Sequence, residues 1–293
     1  MNHQEKRIDT IPAGKVCRAV SVLLLGTMGS LCAGPLAPWK DDLFALPATL
    51  SEKDGGAYRV VDYRAERDIN ERDAINERRA RKDWVSLDPR RKQKNGRMKT
   101  TTGMLRYVSV GTTRGASTIV VYLHGQGGSR EQGVDDWSFG GNFNRLKNLM
   151  FRNGGLYLSP DVADFGQKGT GQIKGLILKY LADSPGAELI VACGSAGGRV
   201  GYGLARDEQI GPQLDGLLLL GSFPDSGFRP GVPVYIGHGG NDTVSPVSSM
   251  ESFYRSLRSS GSPVQMVRFE TGSHGTPIRM TDWRAVINWM KGR

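Results

Sequence analysis

Three residues in the second half of the chain have the types and order that nucleophilic acyl chemistry needs: Ser195, Asp242 and His274. Ser195 lies in Val191-Ala-Cys-Gly-Ser-Ala-Gly-Gly198, where an apolar run ends in a knot of very small residues. A nucleophile on a strand-to-helix turn needs minimal side chains two positions before and two after it, because the backbone is strained and strand and helix approach closely. Cys193 and Gly197 hold those positions, so a small cysteine replaces the usual first glycine of G-x-S-x-G. Alone, this match is no more than a tight buried turn. A serine hydroxyl becomes nucleophilic only when a base takes its proton. Of four histidines, His274 in Thr271-Gly-Ser-His-Gly-Thr276 follows the last strand-like run and leaves an imidazole free there. His3 is N-terminal, His124 opens a glycine loop and His238 ends a strand.

The base must itself be held in one tautomer by a carboxylate. Asp242 in Gly237-His-Gly-Gly-Asn-Asp-Thr-Val-Ser-Pro246 is the first choice, and Asp225 in Gly221-Ser-Phe-Pro-Asp-Ser226 the second. The bland reading of Asp242 is a turn or helix-capping residue ahead of Pro246. An oxyanion needs two inward amide donors. The loop Tyr122-Leu-His-Gly-Gln-Gly-Gly-Ser129 offers the N–H of Gln126, and the residue after the nucleophile offers that of Ala196. This loop lacks the Gly-Lys-Ser/Thr ending of a phosphate-binding loop. Cys193 is a weaker nucleophile candidate: at the strand end it points away from the site if Ser195 points in, and no cation marks it for activation.

These residues need a frame. Apolar runs at Thr118–Leu123, Leu156–Leu158, Glu188–Cys193, Gly216–Leu220, Val232–Gly237 and Val264–Phe269 alternate with helical patterns near Asn144–Arg152, Gln172–Leu181, Gly198–Arg206, Val247–Ser260 and Ile278–Lys291. Continuous apolar strands alternating with amphipathic helices predict a mostly parallel central sheet covered by helices on both faces. Every glycine-rich polar cluster then falls at a strand's carboxyl end, where such sheets place their sites. Tyr58–Tyr63 and Met104–Val110 read as further strands.

In the order HGQGG, CGSAGG, HGGNDTVSP, SHG, the chain resembles the α/β-hydrolase family over roughly residues 104–291. The joint pattern is far more specific than any one motif. The resemblance implies an α/β-hydrolase fold, with Ser195 as nucleophile, His274 as general base and acid, Asp242 as its orienter, and a hydrolysed acyl-enzyme. The short interval from Ser195 to Asp242 leaves little room for a lid domain, so an open site is expected, which residues 128–141 and the basic N-terminal segment are in a position to cover or extend.

The first 37 residues read as an export signal or N-terminal anchor. Lys6, Arg7, Lys15 and Arg18 precede an apolar stretch, Ala19–Leu31, which is shorter than a membrane span. Cleavage is the favoured outcome, giving a periplasmic or secreted protein. Cys193 would then be the lone mature cysteine, with no internal disulfide to make. Residues 38–103 are expected as a basic N-terminal extension with one or two strands, and 104–293 as the catalytic domain. Between Arg64 and Lys99 stand thirteen Arg or Lys against seven Asp or Glu, in a chain of formal net charge +10. Such a run is ordinarily a solvated, salt-bridged surface; its functional reading is contact with an anionic lipid surface or polysaccharide. Export and the near absence of interleaved aromatics exclude nucleic acid. No metal-ligand spacing is present, and neither metal nor cofactor is expected. The expected function is hydrolysis of acyl esters. Peptidase and thioesterase activity on the same triad stay open, as does a non-catalytic envelope- or ligand-binding protein.

Overall fold

The computed structural model describes residues 34–292. Most of the expected signal therefore lies outside the described residues, and among these no helix is long and apolar enough to cross a membrane. In chain order the strands are β1 (Thr49–Lys53), β2 (Tyr58–Val61), β3 (Asp73–Ile75), β4 (Arg79–Ala80), β5 (Gln93–Thr100), β6 (Gly103–Gly111), β7 (Thr118–Leu123), β8 (Leu156–Pro160), β9 (Glu188–Gly194), β10 (Leu214–Leu220), β11 (Val234–Gly239) and β12 (Val264–Phe269). The α-helices are α1 (Ala65–Asp68), α2 (Asn142–Arg152), α3 (Gln167–Asp183), α4 (Gly197–Ala205), α5 (Val247–Ser259), α6 (Thr276–Met280) and α7 (Trp283–Lys291).

Ten strands form one sheet in the order β1-β2-β12-β11-β10-β9-β7-β8-β6-β5, and β3 and β4 make a separate ribbon. From β2 to β8 the neighbours are parallel; β1, β6 and β5 add the antiparallel pairings at the margins. The central strands are buried on both sides, and their side chains divide by the two-residue period of a strand. Ile119, Val121 and Leu123 join a cluster with Ile173, Leu176 and Val200 of α3 and α4. Val120 and Tyr122 join the opposite cluster, with Phe143 and Leu146 of α2 and Trp283 and Ile287 of α7. This is the α/β layering that the alternating pattern predicts.

Three expectations change. The closing helix is two helices, because Thr281 leaves helical geometry (ψ 124°) and the Asp282 carboxylate caps α7 by accepting from Ala285 N–H. The boundary expected at residue 37 does not separate Leu36 from the body. Leu36 is buried, its N–H donates to Asn288 Oδ1 at 2.7 Å, and its carbonyl accepts from Arg284 Nε.

The third concerns residues 38–103, expected with one or two strands, which carry β1 to β5. They share a compact unit with residues 104–292, β5 pairs with β6 across the expected boundary, and β2 lengthens the sheet beyond β12. Several of the basic residues are internal ties. Arg72 is 4% exposed, with its guanidinium against the rings of Phe44 (4.6 Å) and Trp84 (4.5 Å), and its Nε donates to the Gly140 carbonyl. Asp73 makes two contacts with Arg279 of α6, at 3.1 and 2.8 Å, with both side chains almost fully buried. Removing one member of such a pair strands the other charge in the interior. Asp73→Ala should therefore lower the unfolding free energy by about 3–5 kcal/mol; an unchanged denaturant midpoint would contradict this role for the pair.

Candidate active site

β9 delivers its chain end to a sharp turn in which Ser195 has φ +49°, a left-handed conformation unusual for a residue with a side chain. The turn is pinned by Ser195 N–H donating to Leu220 O and Ser222 Oγ donating to Ser195 O. Close approach explains the flanking glycines. A Cβ on Gly197 would stand 2.4 Å from the Leu123 carbonyl oxygen, and one on Gly125 2.8 Å from Ser195 Cβ.

The loop after β12 brings His274 Nε2 to 2.9 Å from Ser195 Oγ. On the other side of the ring, Nδ1 lies 2.7 Å from Asp242 Oδ2. A carboxylate on Nδ1 selects the tautomer with its hydrogen there, so Nε2 is left to accept the serine proton. Asp242 is itself fixed: its Oδ1 accepts the N–H groups of Val244 (2.8 Å) and Ser245 (2.9 Å), and its side chain is fully buried. The His274 side chain keeps 28% exposure. The N-terminal segment braces this loop, with Thr271 Oγ1 donating to Tyr63 O and Glu270 N–H to Val61 O.

Asp225 is not at the site. It forms a two-point pair with Arg206, 2.8 Å at each contact, just past the C-terminal end of α4. Cys193 is fully buried in the cluster on the α4 face, where a Cβ on Gly201 would stand 2.6 Å from its Sγ. Burial pushes its thiol far above the ordinary range. The Gln126 and Ala196 amides donate no hydrogen bond among the described residues, and Gln126 and Ser195 border a common cavity of about 160 Å³. Among these residues no cluster of three His, Cys, Asp or Glu is placed to hold a metal ion.

Two further histidines position the site, and the sequence reading left both without a task. His124 bridges the glycine loop to the segment after β8: Nδ1–H donates to Gly125 O at 2.8 Å, and Nε2 accepts Val162 N–H at 2.8 Å. His238 donates Nε2–H to Ser245 O at 2.7 Å and lies 3.4 Å from Asp242 Oδ2. Burial lowers the pKa of both. A neutral His238 leaves the Asp242 charge to His274. The signals for these roles were the dipeptides His124-Gly125 and His238-Gly239, each at a strand's carboxyl end.

The strand order, the elbow and the loop order together define the α/β-hydrolase fold. No protein-family model matches the sequence, and no curated protein matches it. Solved structures do. A thermostable esterase superposes with a TM-score of 0.56 at 15% identity, over 68% of this chain and 62% of the esterase. An esterase of Pyrococcus furiosus gives 0.54 at 14% identity, over 71% of this chain and 96% of that one. The acylaminoacyl peptidase of Pyrococcus horikoshii gives 0.52 at 14% identity, over 68% of this chain but only 41% of the peptidase. The chain thus spans less than two thirds of the first and third of these proteins.

Two outcomes follow from the buried groups. His124 and His238 have folded-state pKa values below the unfolded value, so their contribution is fully present above about pH 6.5 and is lost as pH falls towards the lowered values. Denaturation at stepped pH should show that decline, and His238→Gln should flatten it. Cys193 should resist iodoacetamide in the native protein at pH 8 and react once the chain is unfolded. Rapid native labelling would show that the thiol is not enclosed.

Proposed function

We propose that this protein is an exported serine hydrolase that cleaves carboxylic esters. The observation that carries the reading is the unbroken series Ser195 Oγ, His274 Nε2, His274 Nδ1, Asp242 Oδ2, at 2.9 and 2.7 Å, opening on a cavity. In the proposed reaction Ser195 Oγ attacks the ester carbonyl carbon while its proton passes to His274 Nε2. The Gln126 and Ala196 amides receive the oxyanion. The carbon–oxygen bond to the alcohol breaks, and the alcohol leaves with the proton from Nε2. Water then attacks the acyl-enzyme, giving a proton to Nε2. That proton returns to Ser195 Oγ as the carboxylic acid departs. Asp242 stays ionised and holds the imidazolium in place.

Support for export is the basic and apolar N-terminal pattern described above. Support for an anionic substrate portion, a lipid headgroup or an acylated polysaccharide, is narrower than the whole basic segment. Arg67, Arg72 and Arg90 are committed to internal or paired contacts. Lys92, Lys94, Arg97 and Lys99, along and just before edge strand β5, are exposed and have no carboxylate partner among the described residues. A peptidase activity is favoured by the likeness to the acylaminoacyl peptidase, and it is separable by substrate.

A fluorophosphonate probe should label the wild-type protein and not Ser195→Ala. Hydrolysis of p-nitrophenyl butyrate should fall by about 10³-fold or more in Ser195→Ala, and by a comparable order in His274→Ala. No labelling of the wild type would point instead to a binding protein on a hydrolase fold. Cleavage of acyl-peptide amides in preference to esters would make it a peptidase.

A further inference from the structure

The turn Ser138-Phe139-Gly140-Gly141, beside the cavity, runs through three successive left-handed residues, with φ of +48°, +59° and +74°. Glycine takes that conformation freely and fills two of the three places. The first holds Phe139, whose Cβ crowds the following carbonyl there, a steric cost that persists only where the surroundings fix the residue. They do so on both sides. Asp135 Oδ1 accepts the N–H groups of Trp137 (2.8 Å) and Ser138 (2.6 Å), and the buried Arg72 donates from Nε to Gly140 O at 2.7 Å. The backbone of the turn gains nothing from a side chain at 139, so what Phe139 supplies is its ring. That ring packs edge-on to Phe143 of α2, with centroids 5.6 Å apart. A Cβ on Gly275, the residue after His274, would stand 3.6 Å from Phe139 Cε1. Phe139 borders the cavity together with Ser195 and His274. The other apolar side chains there, Tyr122, Leu220 and Ile278, are buried, whereas Phe139 is half-buried and keeps surface that a bound molecule can cover.

We propose that Phe139 is a specificity-determining residue, whose ring covers an apolar group, best an aromatic one, attached to the ester bound at Ser195. The inference rests on the ester-hydrolase reading and narrows its substrate class. Ser195 Oγ and the leaving oxygen must both come within hydrogen-bond reach of His274 Nε2, so the scissile carbonyl is fixed beside the imidazole. A substituent on that carbonyl, or on its ester oxygen, then starts close to a ring that reaches the residue after the base. A methyl group is too small to cover the ring, whereas a phenyl group removes both surfaces from water. Two rings gain further from the edge-on or offset geometry that aromatic pairs prefer. The contact forms alike in the ground state and the transition state, so it acts chiefly on KM.

The test follows acid release at constant pH from methyl acetate and from two isomers, benzyl acetate and methyl phenylacetate, which carry the same ring on the alcohol side or the acyl side. Rates are normalised to alkaline hydrolysis. In the wild type kcat/KM for one isomer should exceed that for methyl acetate by about tenfold, and the preferred isomer assigns the side. Phe139→Gly removes the ring and relieves the backbone; it should lower that ratio about tenfold, through KM, and Phe139→Leu should restore most of it. Should Phe139→Gly not fold, Phe139→Ala takes its place against the same ratio. No preference for either isomer, a preference that survives loss of the ring, or an equal loss of kcat on all three esters overturns the proposal alone. If the wild type cleaves none of them and p-nitrophenyl butyrate also resists, the ester-hydrolase reading falls and takes the proposal with it.

Discussion

The structure depends on one strained residue. Holding Ser195 at positive φ lifts its hydroxyl off the end of β9, and residues with side chains pay for that conformation unless the surroundings fix it. The fixing is local and covers every side of the turn: Leu220 O and Ser222 Oγ grip its backbone, and the glycines at 125 and 197 let β7 come within contact distance. Cys193 belongs to the same constraint. Its side chain fills the space under Gly201, so a residue larger than cysteine would push α4 away from the sheet.

Around that turn the polar groups are arranged as a sequence of dependencies. Ser195 is served by His274, which is held by Asp242, which is held by the amides of Val244 and Ser245. His238 stands behind Asp242 and is spent on Ser245 O, so it does not compete for the carboxylate as a cation. Side-chain exposure falls from 28% at His274 to 0% at Asp242 and His238. Electrostatic interactions strengthen along that gradient as water is excluded.

That Ser195, Asp242 and His274 come together was legible in the sequence because each rests on a local requirement: small residues at an elbow, a polar loop at a strand end, and chain order. The alternating apolar runs gave the parallel sheet for the same reason. What was not legible depends on distant partners. Arg72 reads as one more solvated charge until Phe44, Trp84 and Gly140 converge on it, and Asp73 finds Arg279 more than two hundred positions away. Splitting the last helix at Thr281 did have a local signal, the capping aspartate at 282, which the longer apolar pattern outweighed.

The place of β2 has a consequence for the order in which the molecule can be completed. β2 pairs with β12, joining residues 58–61 to 266–269, and the contacts bracing the His274 loop, Tyr63 with Thr271 and Asp73 with Arg279, span the same separation. Loops that long close slowly, and they close only when both ends exist. The early segment must wait for nearly the whole chain before it can dock. The loop carrying His274 is therefore among the last parts to gain its support.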